Sequence, residues 1–331
     1  MIVSRAPVRF SLGGGGTDLP SYSREHGGFL VAAAIDKYVN LCVSPRFQQD
    51  IRLAYSKTEL VDRVDQIEHP LFREAMRFVG IPRALEAHSI ADVPANTGLG
   101  SSSTFTVALL NALHVFKREF VGTEQLAEEA CHIEIDILKE PIGKQDQYIS
   151  AYGGLTAFTF DKDGTVHTER LPVSDDVIDQ LENSLLIFYS GIERSASKVL
   201  QEQATVVKTD KDSAVAKMHR IKEMGYEVKK LLLEGNVDRY GEILHEHWMN
   251  KRKLAASMTD SVIDEHYDAA RAAGAIGGKL MGAGGGGFFM FYVRPTERRK
   301  VYEAMTARGL RQLRFRFDFD GARILANFHR S

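Results

Sequence analysis

Residues 94–105 read P-A-N-T-G-L-G-S-S-S-T-F, a glycine-rich turn that delivers serines to the start of an apolar stretch. Free backbone N–H groups and the dipole at a helix start attract phosphate. A serine hydroxyl beside phosphates is also a common Mg2+ ligand. The loop lacks the lysine that a Walker A loop places before its Ser or Thr. Any grip on phosphate must therefore come from backbone. Read as structure alone, Ser101 or Ser102 is an N-cap, which explains one serine and leaves G-L-G unaccounted for.

Two more glycine loops flank this one in the chain, S-L-G-G-G-G-T-D at 11–18 and G-G-K-L-M-G-A-G-G-G-G at 277–287. Successive glycines let backbone pass close to a ligand or to other backbone. Asp18, directly after the first loop, is a natural acceptor for two adjacent sugar hydroxyls. Three such loops point to a nucleotide and a second ligand meeting in a crevice. Phosphoryl transfer also needs metal ligands, a base near the attacking hydroxyl and positive charge. The segment H-I-E-I-D-I-L-K-E-P-I-G-K-Q-D-Q-Y, 132–148, offers Glu134 and Asp146. Taken alone, Glu134 reads as a solvated helix acid and Asp146 as an acid favoured at a helix start. His245 and His247 are spaced i, i+2 and diverge on a helix, so both read as structural. No H-E-x-x-H, C-x-x-C or G-x-S-x-G occurs, which removes common zinc, redox and α/β-hydrolase readings.

The elements that must position these residues are mixed. Strands are expected at Ile2–Phe10, Phe29–Ile35, Val39–Pro45, Ile51–Ala54 and Ala84–Ile90. Leu60–Val79 and Phe105–Phe116 carry helical patterns, and Thr123 is a plausible N-cap for a helix reaching Ile137. A hairpin is expected at Leu155–Phe160 and Val166–Leu171, then a strand at Leu185–Tyr189. Helical patterns follow at Met218–Leu231, Val237–Lys251 and Val262–Ala273. Strands at Ala275–Leu280 and Phe288–Val293 flank the third loop, and Leu313–Phe319 alternates as a last strand. Strands and helices do not alternate strictly, so the chain reads as α+β in two lobes, divided near residue 182 into 1–182 and 183–331.

The chain has 331 residues with 42 basic and 44 acidic side chains. Nothing favours a polyanion partner such as nucleic acid, and the basic run Arg294–Lys300 reads as a solvated helix face. The two cysteines, Cys42 and Cys131, suit a reducing compartment. The N-terminus lacks an apolar signal region, and no apolar run is long enough to span a bilayer. A soluble cytoplasmic protein is expected, with no membrane partner.

With these residues in view, the chain resembles the GHMP kinases, the family of galactokinase, homoserine kinase and mevalonate kinase. The three family motifs occur in order from end to end, and P-A-N-T-G-L-G-S-S-S is the most specific. The resemblance implies a two-lobed α+β fold with the active site in the cleft between the lobes, ATP and Mg2+ as cofactors, and transfer to a small molecule. It places the phosphate loop on Pro94, Thr97, Gly98, Leu99, Gly100, Ser101, Ser102 and Ser103, the metal ligands on Ser102 and Glu134, and the catalytic aspartate on Asp146. Family members carry alanine where this chain has Ser103. The stretch A-P-V-R-F-S-L-G-G-G-G-T-D, 6–18, aligns without gaps with the galactokinase-type motif, so Arg9 takes the place of the arginine near the reacting hydroxyl and Asp18 that of the sugar-binding aspartate. A Glu and a His that contact galactose become Gly15 and Gly16, which argues for a different sugar. The strings G-G-G-T-D-L-P-S-Y, G-I-E-R-S-A-S and G-K-Q-D-Q-Y look most like the D-glycero-D-manno-heptose 7-phosphate kinase branch, which phosphorylates the anomeric hydroxyl on the route to GDP-activated heptose for surface polysaccharides.

The expected sugar-phosphate contacts are Gly14, Gly15, Thr17, Asp18, Asp146 and Gly284, with Lys144, Arg194 and Lys198 as cations for a distal phosphate. A homodimer is compatible with this reading. Rivals within the fold are another sugar kinase of fucokinase or galactokinase type, an ATP-using decarboxylase and a non-catalytic sensor; the presence of both Glu134 and Asp146 counts against a sensor. A dinucleotide-binding oxidoreductase needs G-x-G-x-x-G opening a βαβ unit, which G-G-G-G-T-D-L does not supply.

Overall fold

The computed structural model describes residues 1–192, 211–254, 258–282 and 284–328, together with Glu202. The strands are β1 (Ile2–Gly13), β2 (Gly28–Pro45), β3 (Ile51–Ala54), β4 (Thr58–Val61), β5 (Leu85–Ala91), β6 (Leu155–Phe160), β7 (Val166–Arg170), β8 (Leu185–Tyr189), β9 (Ala275–Leu280), β10 (Phe288–Val293), β11 (Arg311–Leu313) and β12 (Arg323–Asn327). The helices are α1 (Pro20–His26), α2 (Pro70–Val79), α3 (Ser101–Phe116), α4 (Thr123–Cys131), α5 (Gln145–Tyr152), α6 (Asp175–Ser184), α7 (Lys211–Glu234), α8 (Tyr240–Lys251), α9 (Ser261–Ala272) and α10 (Arg298–Thr306).

The large sheet runs β12-β1-β2-β5-β3-β4, and β6 leaves it by pairing with the first part of β2 and with β7. The apolar run 29–35 explains its centre. Phe29, Val31, Ala33 and Ile35 enter one core, while Leu30, Ala32 and Ala34 enter the other. A strand covered on both faces needs apolar residues at every position. The first core lies between the sheet and α2, α3, α4 and α5. The second joins the sheet to the other lobe, where Val8, Phe10 and Leu12 meet Met224, Val228 and Leu244. The smaller sheet, β11-β8-β10-β9, supports that lobe. The chain end returns, as β12 pairs with β1.

Several expectations are corrected. The two strands expected at 29–45 are one strand, β2, whose early and late parts pair with different neighbours, β6 and β5. The helical pattern from Leu60 resolves into β4, a short turn at Val64–Gln66 and α2, which starts at Pro70; proline suits the first helical turn and not an interior. Thr123 is the first residue of α4, and its cap is Gly122. The last alternating strand is regular only through Leu313, although Phe315 and Phe317 still pack against Phe10. Asp318 ends the alternation: it is buried, receives Tyr38 Oη at 2.9 Å and accepts the Asp320 and Gly321 N–H groups. In the basic run, Arg299 and Lys300 are exposed, but Arg298 donates to the carbonyls of Asn183 and Leu185. No helix among the described residues is long and apolar enough to cross a membrane.

Candidate active site

The phosphate-type loop connects β5 to α3. Gly98 and Gly100 adopt left-handed backbone, with φ of 84° and 73°, a conformation that side chains resist. At Gly100 a Cβ would also come within 3.1 Å of Arg9 Nε and Asp146 Oδ2. Gly100 caps α3, so Ser101, Ser102 and Ser103 form its first turn, where backbone N–H groups lack intrahelical acceptors. Ser101 and Ser103 are buried, and Ser102 is exposed to the cleft. Thr97 is buried and its hydroxyl donates to the Pro94 carbonyl at 2.8 Å. Leu99 is a core residue. Pro94 and Leu99 thus shape the loop, while Thr97, Gly98, Gly100 and the serines line the cavity.

Glu134 is 1 % exposed. It lies in a π-helical turn, His132–Ile137, that continues α4, with Leu138 N–H donating to the Ile133 carbonyl. Such turns insert one extra residue and occur often at functional sites. Glu134 lies three residues after Cys131 and four after Ala130, so it continues the buried face of α4 rather than a solvated one. Ser102 Oγ donates to Glu134 Oε1 at 3.3 Å and Gln147 Nε2 donates to Oε2 at 2.5 Å. Ser103, in the same turn as Ser102, also helps to lower this carboxylate's proton affinity. Burial pushes the Glu134 carboxyl up to about 7, and the nearby Asp146 charge adds to the rise. The groups that bond it are neutral, so its own negative charge is uncompensated.

Asp146 sits in the first turn of α5. Arg9, on β1, grips it with two bonds, Nε to Oδ1 at 2.7 Å and Nη2 to Oδ2 at 2.5 Å. Its Nη1 donates to the Gly98 carbonyl at 2.7 Å. One guanidinium therefore fixes both the carboxylate and the phosphate-type loop, with the planar geometry that arginine supplies. Asp18 approaches from the first glycine loop and accepts the Gln145 N–H at 3.1 Å. A Cβ at Gly143 would lie 2.0 Å from Asp18 Oδ2, so the glycine of G-K-Q-D-Q-Y makes room for the aspartate of G-G-T-D. Burial, then the Asp146 charge, raises the Asp18 carboxyl above its ordinary value.

The opposite wall was not legible as a site. His247 and Lys251 on α8 and Lys279 on β9 are all buried and line the same cavity of about 260 Å3 as Arg9, Asp18 and Asp146. Lys251 Nζ donates to the Gly282 carbonyl at 2.5 Å. His245 is structural as expected, bonded to Tyr267 Oη at 2.7 Å; His247 is not so settled, since neither ring nitrogen has a hydrogen-bond partner. The i, i+4 spacing of His247 and Lys251 was the available signal. Comparing His247 only with His245 concealed it.

The other expected contacts separate. Gly15 lines the cavity, but Gly14 faces strand β2, where a Cβ would lie 2.2 Å from the Phe29 carbonyl. Thr17 is fully buried and bonds the Gly14 carbonyl and the Phe29 backbone. Lys144 turns away to Glu128 and the Gly164 carbonyl. Gly284 packs against Met258, and its neighbour Gly282 lines the cavity instead. Arg194 and Lys198 lie outside the described residues. The third glycine loop approaches the phosphate-type loop itself: a Cβ at Gly282 would lie 2.4 Å from Gly98 Cα, and one at Gly287 2.2 Å from the Thr97 carbonyl.

This geometry has counterparts. Residues 59–154 match the GHMP kinases N terminal domain and residues 228–310 the GHMP kinases C terminal domain. The chain belongs to the GHMP kinase family. It is accordingly a phosphotransferase of the sugar-kinase type, in a family that uses ATP as phosphate donor. A D-glycero-alpha-D-manno-heptose 7-phosphate kinase of Campylobacter jejuni is 27% identical over 316 residues, covering 92% of this chain and 93% of the relative. The crystal structure of a D-glycero-D-manno-heptose 1-phosphate kinase from Bacteroides thetaiotaomicron superposes with a TM-score of 0.82 at 28% identity, covering 99% of this chain and 100% of that one. A Lactococcus lactis galactokinase complexed with galactose shares the fold, with a TM-score of 0.77 at 16% identity, 98% of this chain and 95% of that one.

Proposed function

We propose that this GHMP kinase transfers the γ-phosphoryl group of ATP to the anomeric C1 hydroxyl of D-glycero-D-manno-heptose 7-phosphate, giving the 1,7-bisphosphate. The observation that carries the reading is the Arg9 bridge, which sets Asp146 against the phosphate-type loop in the cavity that also holds Asp18. Asp146 orients the acceptor hydroxyl and takes its proton. Arg9 keeps that carboxylate in place and offsets charge developing on the sugar oxygen. Asp18 accepts hydrogen bonds from two ring hydroxyls. The amides of the first turn of α3 cradle the phosphates. Positioning and electrostatics supply most of the rate, as is general for this reaction.

Ser102 and Glu134 would hold Mg2+. Among the described residues no group of three or more His, Cys, Asp or Glu could hold a metal. That suits Mg2+, which takes one or two protein oxygens, substrate phosphates and water. The uncompensated buried carboxylate of Glu134 beside the hydroxyl of Ser102 supplies such a pair. Bound there, the cation would neutralise phosphate charge.

The name of the Campylobacter jejuni relative supports the acceptor; the Bacteroides thetaiotaomicron kinase is named for a heptose 1-phosphate and supports only the heptose class, and Gly15 and Gly16 line the cavity without side chains. ATP consumption with Mg2+ across a panel of sugars and sugar phosphates, with NMR of the product, tests the reading. The expected result is turnover of the heptose 7-phosphate with a new phosphate on C1. Turnover confined to galactose or fucose would assign the protein to another sugar-kinase branch.

A further inference from the structure

The cavity wall opposite Asp18 carries two buried lysines and a buried histidine, Lys251, Lys279 and His247, with exposures of 8 %, 3 % and 2 %. A lysine is almost never buried without a partner, and an isolated buried ammonium costs several kcal/mol. Here burial drives the Lys279 ammonium and the His247 imidazole well below their ordinary values, and each is lowered further by its cationic neighbours in the cluster. Gathering two lysines and an unbonded histidine on one wall costs stability that the Gly282 carbonyl and the charges of Asp18 and Asp146 offset only in part at Lys251, since its ammonium stays below its ordinary value, and an anion held among the three would relieve it.

The site is specific in its side of the cleft. The charges that act on Lys251 are those of Arg9, Asp18 and Asp146, and Arg9 also acts on Lys279. These are the acceptor-side residues; Glu134, which faces the metal and nucleotide, is not among them. The neighbouring cavity beyond Gly143, which holds Lys144, is unsuitable for an anion. It is lined by Asp18, Glu128, Asp136, Asp161 and Asp163 against Arg24, Lys144 and His132.

We propose that Lys251, Lys279 and His247 form the subsite for the phosphate that the acceptor already carries. This rests on the sugar-phosphate reading above. It moves the distal clamp from α5 and the 194–198 segment to α8 and β9. Lys279 and Lys251 donate charge-assisted hydrogen bonds to a tetrahedral dianion. His247 supplies a neutral N–H, which orients the phosphate without adding charge to an already cationic wall. The subsite selects sugar phosphates over free sugars, because a free sugar brings no anion to the two buried ammonium groups.

The test is Lys279→Met, which keeps the bulk of the stem and removes the charge. In steady-state assays the variant should lose about 10- to 100-fold in kcat/KM for the heptose 7-phosphate, mostly in KM. The loss in kcat/KM for the free heptose should be smaller by about 10-fold or more, with KM for ATP unchanged. Orthophosphate should compete with the sugar phosphate in the parent protein and not in the variant. The ligand-free variant should also melt higher, by about 2–4 °C for each kcal/mol of relieved burial; a structural lysine would give a lower melting temperature. Equal losses on phosphorylated and free sugar would mean that the cations serve the transferring phosphoryl, and the subsite is overturned. Unchanged KM for the sugar phosphate overturns it as well, leaving the heptose phosphate reading intact. A parent protein that shows no preference for the phosphorylated sugar overturns both. Lys251→Met, in the same assays, is the second variant, and its loss should again fall mainly on the phosphorylated acceptor.

Discussion

On the wall made by α3, the π-turn and α5, the buried charge is one carboxylate, Glu134, held by Ser102 and Gln147. Across the cleft, on α8 and β9, the buried charges are lysines, with a histidine that has no hydrogen-bond partner. The first wall is pre-bonded and needs a cation; the second is under-bonded and needs an anion. Between them stands a complete charge pair, Arg9 with Asp146. On the proposed reading the difference gives each reactant a side: metal and nucleotide against the carboxylate wall, a phosphorylated acceptor against the lysine wall, and the reacting hydroxyl at the pair between.

The largest effect should come from breaking the pair itself. Asp146→Asn keeps the shape and a hydrogen bond to Arg9 but removes the proton acceptor. Turnover at saturating substrate should fall about 10²–10⁴-fold, while ATP binding measured by calorimetry stays near that of the parent. Near-normal turnover would remove Asp146 from its role and leave the contrast between the walls without a centre.

The contact that joins the walls comes next. Gly282 has φ of 71° and would place a Cβ 2.4 Å from Gly98 Cα. Gly282→Ala should therefore push the third glycine loop off the phosphate-type loop. Backbone strain of about 1–3 kcal/mol and a shifted loop should together weaken ATP binding by about 10-fold or more. A variant that binds ATP normally would show that the two loops work independently. On the carboxylate wall alone, Glu134→Gln should raise the Mg2+ concentration needed for half-maximal activity, since a hard cation prefers a carboxylate oxygen to an amide. Superimposable Mg2+ titrations would return Glu134 to a structural role.

How much of this could be read from the chain follows the same division. The phosphate-type loop was legible because left-handed turns demand glycine and helix starts favour serine; Gly98, Gly100 and Ser102 stand where that reasoning puts them. Asp146 and Arg9 were legible through motif position. The burial of Glu134 was not, because a lone carboxylate reads as solvated even where, four residues after Ala130, it falls on the buried face of its helix. The third glycine loop announced a close approach, yet its partner, the backbone of Thr97 and Gly98, is a matter of tertiary packing. Lys251 and Lys279 were hidden for a different reason. A lysine in an amphipathic helix or a strand reads as solvated, and only the assembled lobes show that these two are closed off from water.

The smallest effect concerns stability, and it discriminates between the walls by its sign. Burial is the first cause that lowers the Lys251 ammonium, to about 8 from its ordinary 10.5, and the Arg9 charge lowers it further. Between those two values the unfolded chain holds the proton more than the folded one does. Stability must then rise with pH across that window, because the state that binds more protons is favoured by acid. Below about pH 8 both states are protonated and the penalty is constant; above about 10.5 both are neutral and it is gone. The full span corresponds to about 3–4 kcal/mol at most, at 1.36 kcal/mol for each pH unit. In urea melts of the ligand-free protein from pH 7.5 to 10.5, Lys251→Met should flatten this part of the profile, so that parent and variant converge at the alkaline end apart from the lost bond to the Gly282 carbonyl. Parallel profiles for parent and variant would mean that Lys251 is solvated in solution, and the lysine wall would lose the character that sets it against Glu134.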